Sequence, residues 1–183
     1  MAGHHLILGK RVDFITGETI DDTLDERYRQ KLARLLVNQK GYLKGEIQPR
    51  FELLIKAGDN SAIIKVDYII TISGKVCMII KYGPGSLVTR HRPVLAASRL
   101  VVPYQVPFAV VTNGEDAETI AGSSGMVVAS GLEGIFDRST LNEQMQNTNF
   151  TVISKKQAEM ASRILYCYEI DDSCPCDDTI CRL

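Results

Sequence analysis

Apolar and polar positions alternate along the chain in two distinct rhythms. Leu24, Tyr28, Leu32, Leu35 and Leu36 recur at helical intervals, and Thr23 and Glu26 stand at the spacing of a capping box. They predict a helix over residues 24–39, stopped by Gly41. Segments rich in β-branched and aromatic residues follow at 47–56, 62–72 and 76–82, separated by Gly58-Asp59-Asn60 and Ser73-Gly74. That turn chemistry makes an antiparallel meander the simplest arrangement. Helical spacing returns over 92–102, ended by Pro103. Residues 107–112 then read as a buried strand before the turn Asn113-Gly114. An edge strand at 126–129 and a helix over 154–168, patterned through Ala158, Ala161, Ile164 and Leu165, complete the order. The class this predicts is α/β, with a mixed central sheet flanked by helices.

Composition narrows the picture. A chain of 183 residues, 45% hydrophobic and 23% charged, can bury one ordinary core. We expect one domain over 1–166 and an acidic, cysteine-rich tail over 167–183. No run approaches the roughly eighteen apolar residues of a membrane span, and residues 1–10 lack the pattern of a signal peptide, so a cytoplasmic protein is expected. The formal net charge of −1 divides into −4 for the tail and +3 for the body. This mild excess permits a local basic groove without requiring one. The outer face of the first helix adds Arg27, Arg29, Lys31 and Arg34, a pattern that a solvated surface also explains.

The chemistry concentrates between Asp67 and Lys81. Side chains alternate across a strand, so Asp67 shares a face with Lys65 and Ile69, and Lys81 with Ile79. A hairpin turning at Ser73-Gly74 would bring Asp67 near Lys81. An acid that holds Mg²⁺ and a cation that orients water are what metal-dependent phosphodiester cleavage requires. A plain cross-strand ion pair explains the same two residues.

Five segments in order carry a resemblance: Asp25-Glu26-Arg27-Tyr28-Arg29-Gln30, Gly41-Tyr42, Val66-Asp67, Lys81, and Val110-Val111-Thr112-Asn113-Gly114. Through them, residues 17–131 resemble the N-terminal nuclease region of type I restriction enzyme R subunits, in the PD-(D/E)xK superfamily with its restriction-endonuclease-like core. The resemblance implies a metal-binding role for Asp67, a catalytic role for Lys81, and participation of Glu26. The second acid of the family, two residues before the lysine, is replaced by Ile79, and the family's glutamine motif has no counterpart in residues 94–99. Two expectations stand side by side. In one, a relocated acid such as Glu26, Glu46 or Glu52 completes a Mg²⁺-dependent DNA endonuclease. In the other, the fold persists as a catalytically inactive module that binds nucleic acid or protein. Arg90, His91 and Arg92 after the Gly83-Pro84-Gly85 loop, with Arg99, are the candidate phosphate contacts, although the first three equally suit the start of a helix. No Gly-x4-Gly-Lys-Ser/Thr phosphate loop occurs in these residues, so nothing in them suggests an ATP-driven motor; DNA is the expected partner, with other proteins or a motor subunit in trans as further candidates.

Cys167, Cys174, Cys176 and Cys181 follow a Cys-x6-Cys-x-Cys-x4-Cys spacing that matches neither common zinc pattern. A Zn²⁺ site, an iron–sulfur cluster and a solvated tail with free thiols all remain open for it.

Overall fold

The computed structural model describes residues 6–170. Short strands β1 (Lys10–Val12) and β2 (Thr19–Asp21) form a small antiparallel hairpin ahead of helix α1 (Leu24–Asn38). Strands β3 (Ile47–Ala57), β4 (Asn60–Ile72) and β5 (Lys75–Tyr82) follow, then helix α2 (His91–Ala97) and strand β6 (Phe108–Thr112). Strands β7 (Ala117–Ala121) and β8 (Val127–Ser130) and helices α3 (Arg138–Gln146) and α4 (Lys155–Glu169) complete the chain. The main sheet has six strands in the order β3-β4-β5-β6-β7-β8. Only β5 and β6 are parallel, joined by the α2 crossover, so the sheet is mixed as the sequence predicts. None of the described helices is long and apolar enough to cross a membrane.

Local chemistry accounts for these elements. Thr23 caps α1 by accepting from the Glu26 N–H, and Ser154 with Gln157 makes a full capping box on α4. The β4–β5 turn places both Ser73 (φ 51°) and Gly74 (φ 76°) in the left-handed region, the requirement of a tight two-residue hairpin. Helix α2 stops at Ala97, six residues before Pro103. Ser98 Oγ donates to the Leu95 carbonyl, and the following N–H groups of Arg99 and Leu100 reach back only three residues. Strand β7 and helix α3 escape sequence patterning, since Ala-Glu-Thr-Ile-Ala is a weak strand signal and α3 buries only Leu141.

Two apolar layers sandwich the sheet. On one side Leu32, Ala33 and Leu36 of α1 and Leu141 of α3 meet Tyr68, Ile70, Met78, Ile80 and Val110. On the other, Val94, Ala96 and Ala97 of α2 and Ala161 and Leu165 of α4 meet Ile69, Ile79, Ala109, Val111 and Ile120.

One irregularity interrupts this alternation. In β4, Ile64 and Val66 belong to the α2/α4 layer but Tyr68, Ile70 and Ile72 to the α1 layer. Strand β3 changes phase in the same way, from Ile47 to Leu53 and Ile55. The change falls where pairing skips from Pro49↔Tyr68 to Phe51↔Val66, at Arg50 with φ 52° and Asp67 opposite it. Period two cannot survive such a break.

The turn after β6 is equally specified. Asn113 Oδ1 accepts from the N–H groups of Glu115 and Asp116, and Gly114 at φ 91° lies against Tyr28 of α1. A Cβ at Gly114 would stand 2.4 Å from Tyr28 Cδ1. Gly114→Ala is therefore expected to destabilise the protein by about 1–3 kcal/mol in urea unfolding, from backbone strain plus displacement of the tyrosine. Gly45→Ala, which meets open space at an ordinary φ, is the control.

Candidate functional site

Asp67 stands at the phase change, and the break turns its carboxylate toward α1 and the end of β5. Its Oδ1 accepts from Arg29 Nε at 2.6 Å and its Oδ2 from the Tyr82 backbone N–H at 2.7 Å. Lys81 lies next to Tyr82 but points to the other layer, with Ile79. Its ammonium donates to the Lys65 carbonyl at 3.0 Å and pairs with Glu169, the last residue of α4, at 3.0 Å. Asp67 and Lys81 are each 7% exposed, and neither hydrogen-bonds the other. Ile79 is fully buried among the apolar side chains of the α2/α4 layer.

Glu26 comes into the same region as Asp67, with a guanidinium between them. Arg29, one turn further along α1, bonds Asp67 and also lies 3.7 Å from Glu26 Oε2. Glu26 Oε1 accepts from Gln30 Nε2 at 2.9 Å, and Arg50 Nη1 approaches it at 3.4 Å. Arg50 in turn places both terminal nitrogens 2.8 Å from Asp13 Oδ2, which also accepts from Gln30 Nε2 at 2.7 Å. The other Asp13 oxygen takes the N–H groups of Ile15 and Thr16. Three carboxylates and two guanidinium groups thus form one continuous network, tied by Gln30, beneath α1.

Burial alone would raise the Asp13 carboxyl, but the Thr16 N–H, Arg50 and Gln30 outweigh it and hold the group below its ordinary 3.8. Burial likewise works against the Arg29 charge, and Asp67, followed by Glu26 and Asp25, reverses the effect. Tyr82 closes the site above: its ring stacks on Tyr28 at 5.8 Å, Arg29 lies 5.2 Å from its centroid, and its hydroxyl donates to Asp25.

The other candidates lie apart from this network. Glu46 receives a double hydrogen bond from Arg138 of α3, which depresses its carboxyl. Glu52 is exposed opposite Lys65. The Arg90 guanidinium folds onto Gly83 and donates to the Pro84 carbonyl, stiffening the loop after β5. His91 is paired with Glu118 of β7. Arg92 is exposed and unpaired among the described residues, and Arg99 donates from Nε to Gln105. Cys167 is an exposed free thiol within α4; Cys174, Cys176 and Cys181 lie outside the described residues. Among the described residues no three His, Cys, Asp or Glu side chains are grouped for a cation.

A mixed sheet clad by helices on both faces, with an aspartate and a lysine on adjacent strands at the end of a hairpin, defines an α/β protein of restriction-endonuclease-like organisation. The family model of the type I restriction enzyme R protein N terminus matches residues 24–135, and the chain belongs to that family. No curated protein and no solved structure matches it.

Sequence reasoning missed Asp13, Arg50 and Glu169, whose partners are distant along the chain. Arg29 and Gln30 were within reach, since they follow Glu26 by three and four residues and so share its helix face.

Two outcomes test the network. Arg29→Met leaves Asp67 and Glu26 without their shared cation and is expected to cost about 3–5 kcal/mol in urea unfolding. Arg27→Met, at a solvent-screened pair with Asp22, should leave the unfolding midpoint nearly unchanged. A depressed carboxyl contributes stability above its ordinary value that is lost as pH falls through the folded one. Asp13→Asn should therefore lower the melting temperature at neutral pH and flatten its fall below about pH 4 in a melting series across pH.

Proposed function

We propose that this chain is a DNA-binding module of the type I restriction R-subunit family in which the cleavage centre has become a structural ion-pair network. The observation that carries this reading is the Arg29 guanidinium on Asp67, with Glu26 on its other side. A divalent cation needs several carboxylate or carbonyl oxygens with lone pairs to spare. Here both Asp67 oxygens are taken by donors, Glu26 is held by Gln30 and flanked by Arg50 and Arg29, and an aliphatic side chain stands at position 79. The donor set does not fit Mg²⁺, and two arginines supply the positive charge a metal would bring.

Family membership supports DNA and other subunits as partners. Arg92 and Lys31 are exposed cations suited to phosphate contact, and Arg34 is exposed on the same helix as Lys31. A competing reading, a Mg²⁺-dependent deoxyribonuclease with a relocated acid, draws on Glu169, whose carboxylate reaches Lys81.

The two readings separate in one set of assays. We expect fluorescence anisotropy to show binding to DNA that weakens steeply between roughly 50 and 200 mM salt, and weakens further in Arg92→Glu. Incubation with Mg²⁺ or Mn²⁺ should leave single- and double-stranded DNA intact. Metal-dependent cleavage that disappears in both Asp67→Ala and Lys81→Ala would overturn the non-cleaving reading. Absence of DNA binding at low salt would overturn the binding one.

A further inference from the structure

A cavity lies away from the ion-pair network, on the side where β6 begins. Its volume is about 630 Å³, within the roughly 300–1,000 Å³ of small-molecule sites. Its lining combines the apolar residues Pro107, Phe108, Val128 and Ile153 with the carboxamide residues Gln144, Asn147 and Asn149. Arg99 is the single charged residue of the lining.

The cation is held in place by a relay. Gln105 accepts from Arg99 Nε at 3.2 Å while its own amide donates to Ser98 Oγ at 2.8 Å and the Val106 carbonyl at 2.9 Å. This fixes the guanidinium stem and leaves both terminal nitrogens without a partner among the described residues. Gly122 makes the arrangement possible, because a Cβ there would fall 2.2 Å from the Val106 oxygen and 2.5 Å from Gln105 Nε2. The carboxamides of Gln144, Asn147 and Asn149 likewise form no hydrogen bond among the described residues.

The chemistry of the lining selects a ligand. With one cation and no carboxylate, the cavity suits a single anionic group and has no negative charge to pair with an ammonium, which disfavours polyamines. One arginine is too little for a triphosphate. Carboxamides both donate and accept, as the edges of nucleobases do, and apolar lining that includes an aromatic residue suits a base face better than a sugar alone. We propose that this cavity binds a nucleoside monophosphate unit, with the phosphate on Arg99, the base edge on the carboxamides and the base face on Phe108. The site is separate from the Asp67 network, so it stands whether or not that network cleaves DNA.

Titration of the isotope-labelled chain with adenosine, cytidine, guanosine and thymidine 5′-monophosphates, followed by NMR of the Asn and Gln side-chain amides and the Arg99 N–H, tests it. At least one mononucleotide should bind saturably and shift those signals. The matching nucleoside, ribose 5-phosphate and inorganic phosphate should each bind at least about tenfold more weakly. Arg99→Gln should weaken binding about tenfold, and the exposed double substitution Asn147→Ala/Asn149→Ala, which places no demand on folding, at least about threefold. Lys56→Gln, on the far edge strand, should have no effect. A 5′-phosphorylated trinucleotide that binds about tenfold tighter than the mononucleotide would assign the source as a strand end, and equal or weaker binding would assign free mononucleotide. Saturation by no mononucleotide up to about 5 mM, inorganic phosphate binding as well as the best mononucleotide, or unchanged affinity in both variants would overturn the proposal.

Discussion

The break at Arg50 and Asp67 organises the rest of the molecule. Two long paired strands change phase there together, so the same hairpin contributes to the α2/α4 layer at its tip and to the α1 layer at its base. A phase change forces polar groups into a place where apolar ones would normally alternate. Arg50 and Asp67 are those groups, and the buried Asp67 needs a partner because an unpaired charge at such depth costs several kcal/mol. Helix α1 supplies Arg29 to one and Glu26 to the other, while Asp13 reaches Arg50 from the loop between β1 and β2. The docking of α1 on the sheet is therefore specified twice, by Leu32, Ala33 and Leu36 through area and by Glu26, Arg29 and Gln30 through direction.

This arrangement changes what the inherited residues do. Lys81 and Asp67 keep their strand positions, but the phase change sends one toward α4 and the other toward α1. Ile79 completes the separation by joining the apolar layer beneath Lys81. The segment Asp25 to Gln30 serves mainly as a clamp on Tyr82, Asp67 and Arg50, while Gly41-Tyr42 ends α1 and ties it to the carbonyl of Phe136. Residues that mark the family in this chain are largely ones that fasten the first helix to the sheet.

Much of this architecture was legible in the sequence. Period-two runs bounded by Gly58-Asp59 and Ser73-Gly74 located β3, β4 and β5, and the caps of α1 and α4 declared themselves at Thr23 and Ser154. Strand β7 was hidden because alanine and glutamate give little strand signal, and the β1–β2 hairpin because each strand has three residues. Proximity of Asp67 to Glu26 followed from the family pattern, yet Arg29 between them did not, because a residue on a helix face is equally readable as solvated. The phase change was invisible for a sharper reason. Alternation assumes a regular ladder, and a single residue at φ 52° in β3 invalidates it for everything beyond. Three cysteines of the tail, Cys174, Cys176 and Cys181, lie outside the described residues, and with them the choice among a zinc site, an iron–sulfur cluster and free thiols.

Strand β3 is also an outer strand of the six, with eleven residues and one side unpaired by any other described strand. A regular strand of that length would offer a template for any other extended chain, including another copy of itself. Pro49 has no N–H to offer, and the left-handed Arg50 bends the next peptide out of line. The outer strand is thereby cut into a stub at its start and a regular stretch over 51–57, which shortens the template it offers. The irregularity that redirects an aspartate on the inside also shortens the regular template for edge pairing on the outside.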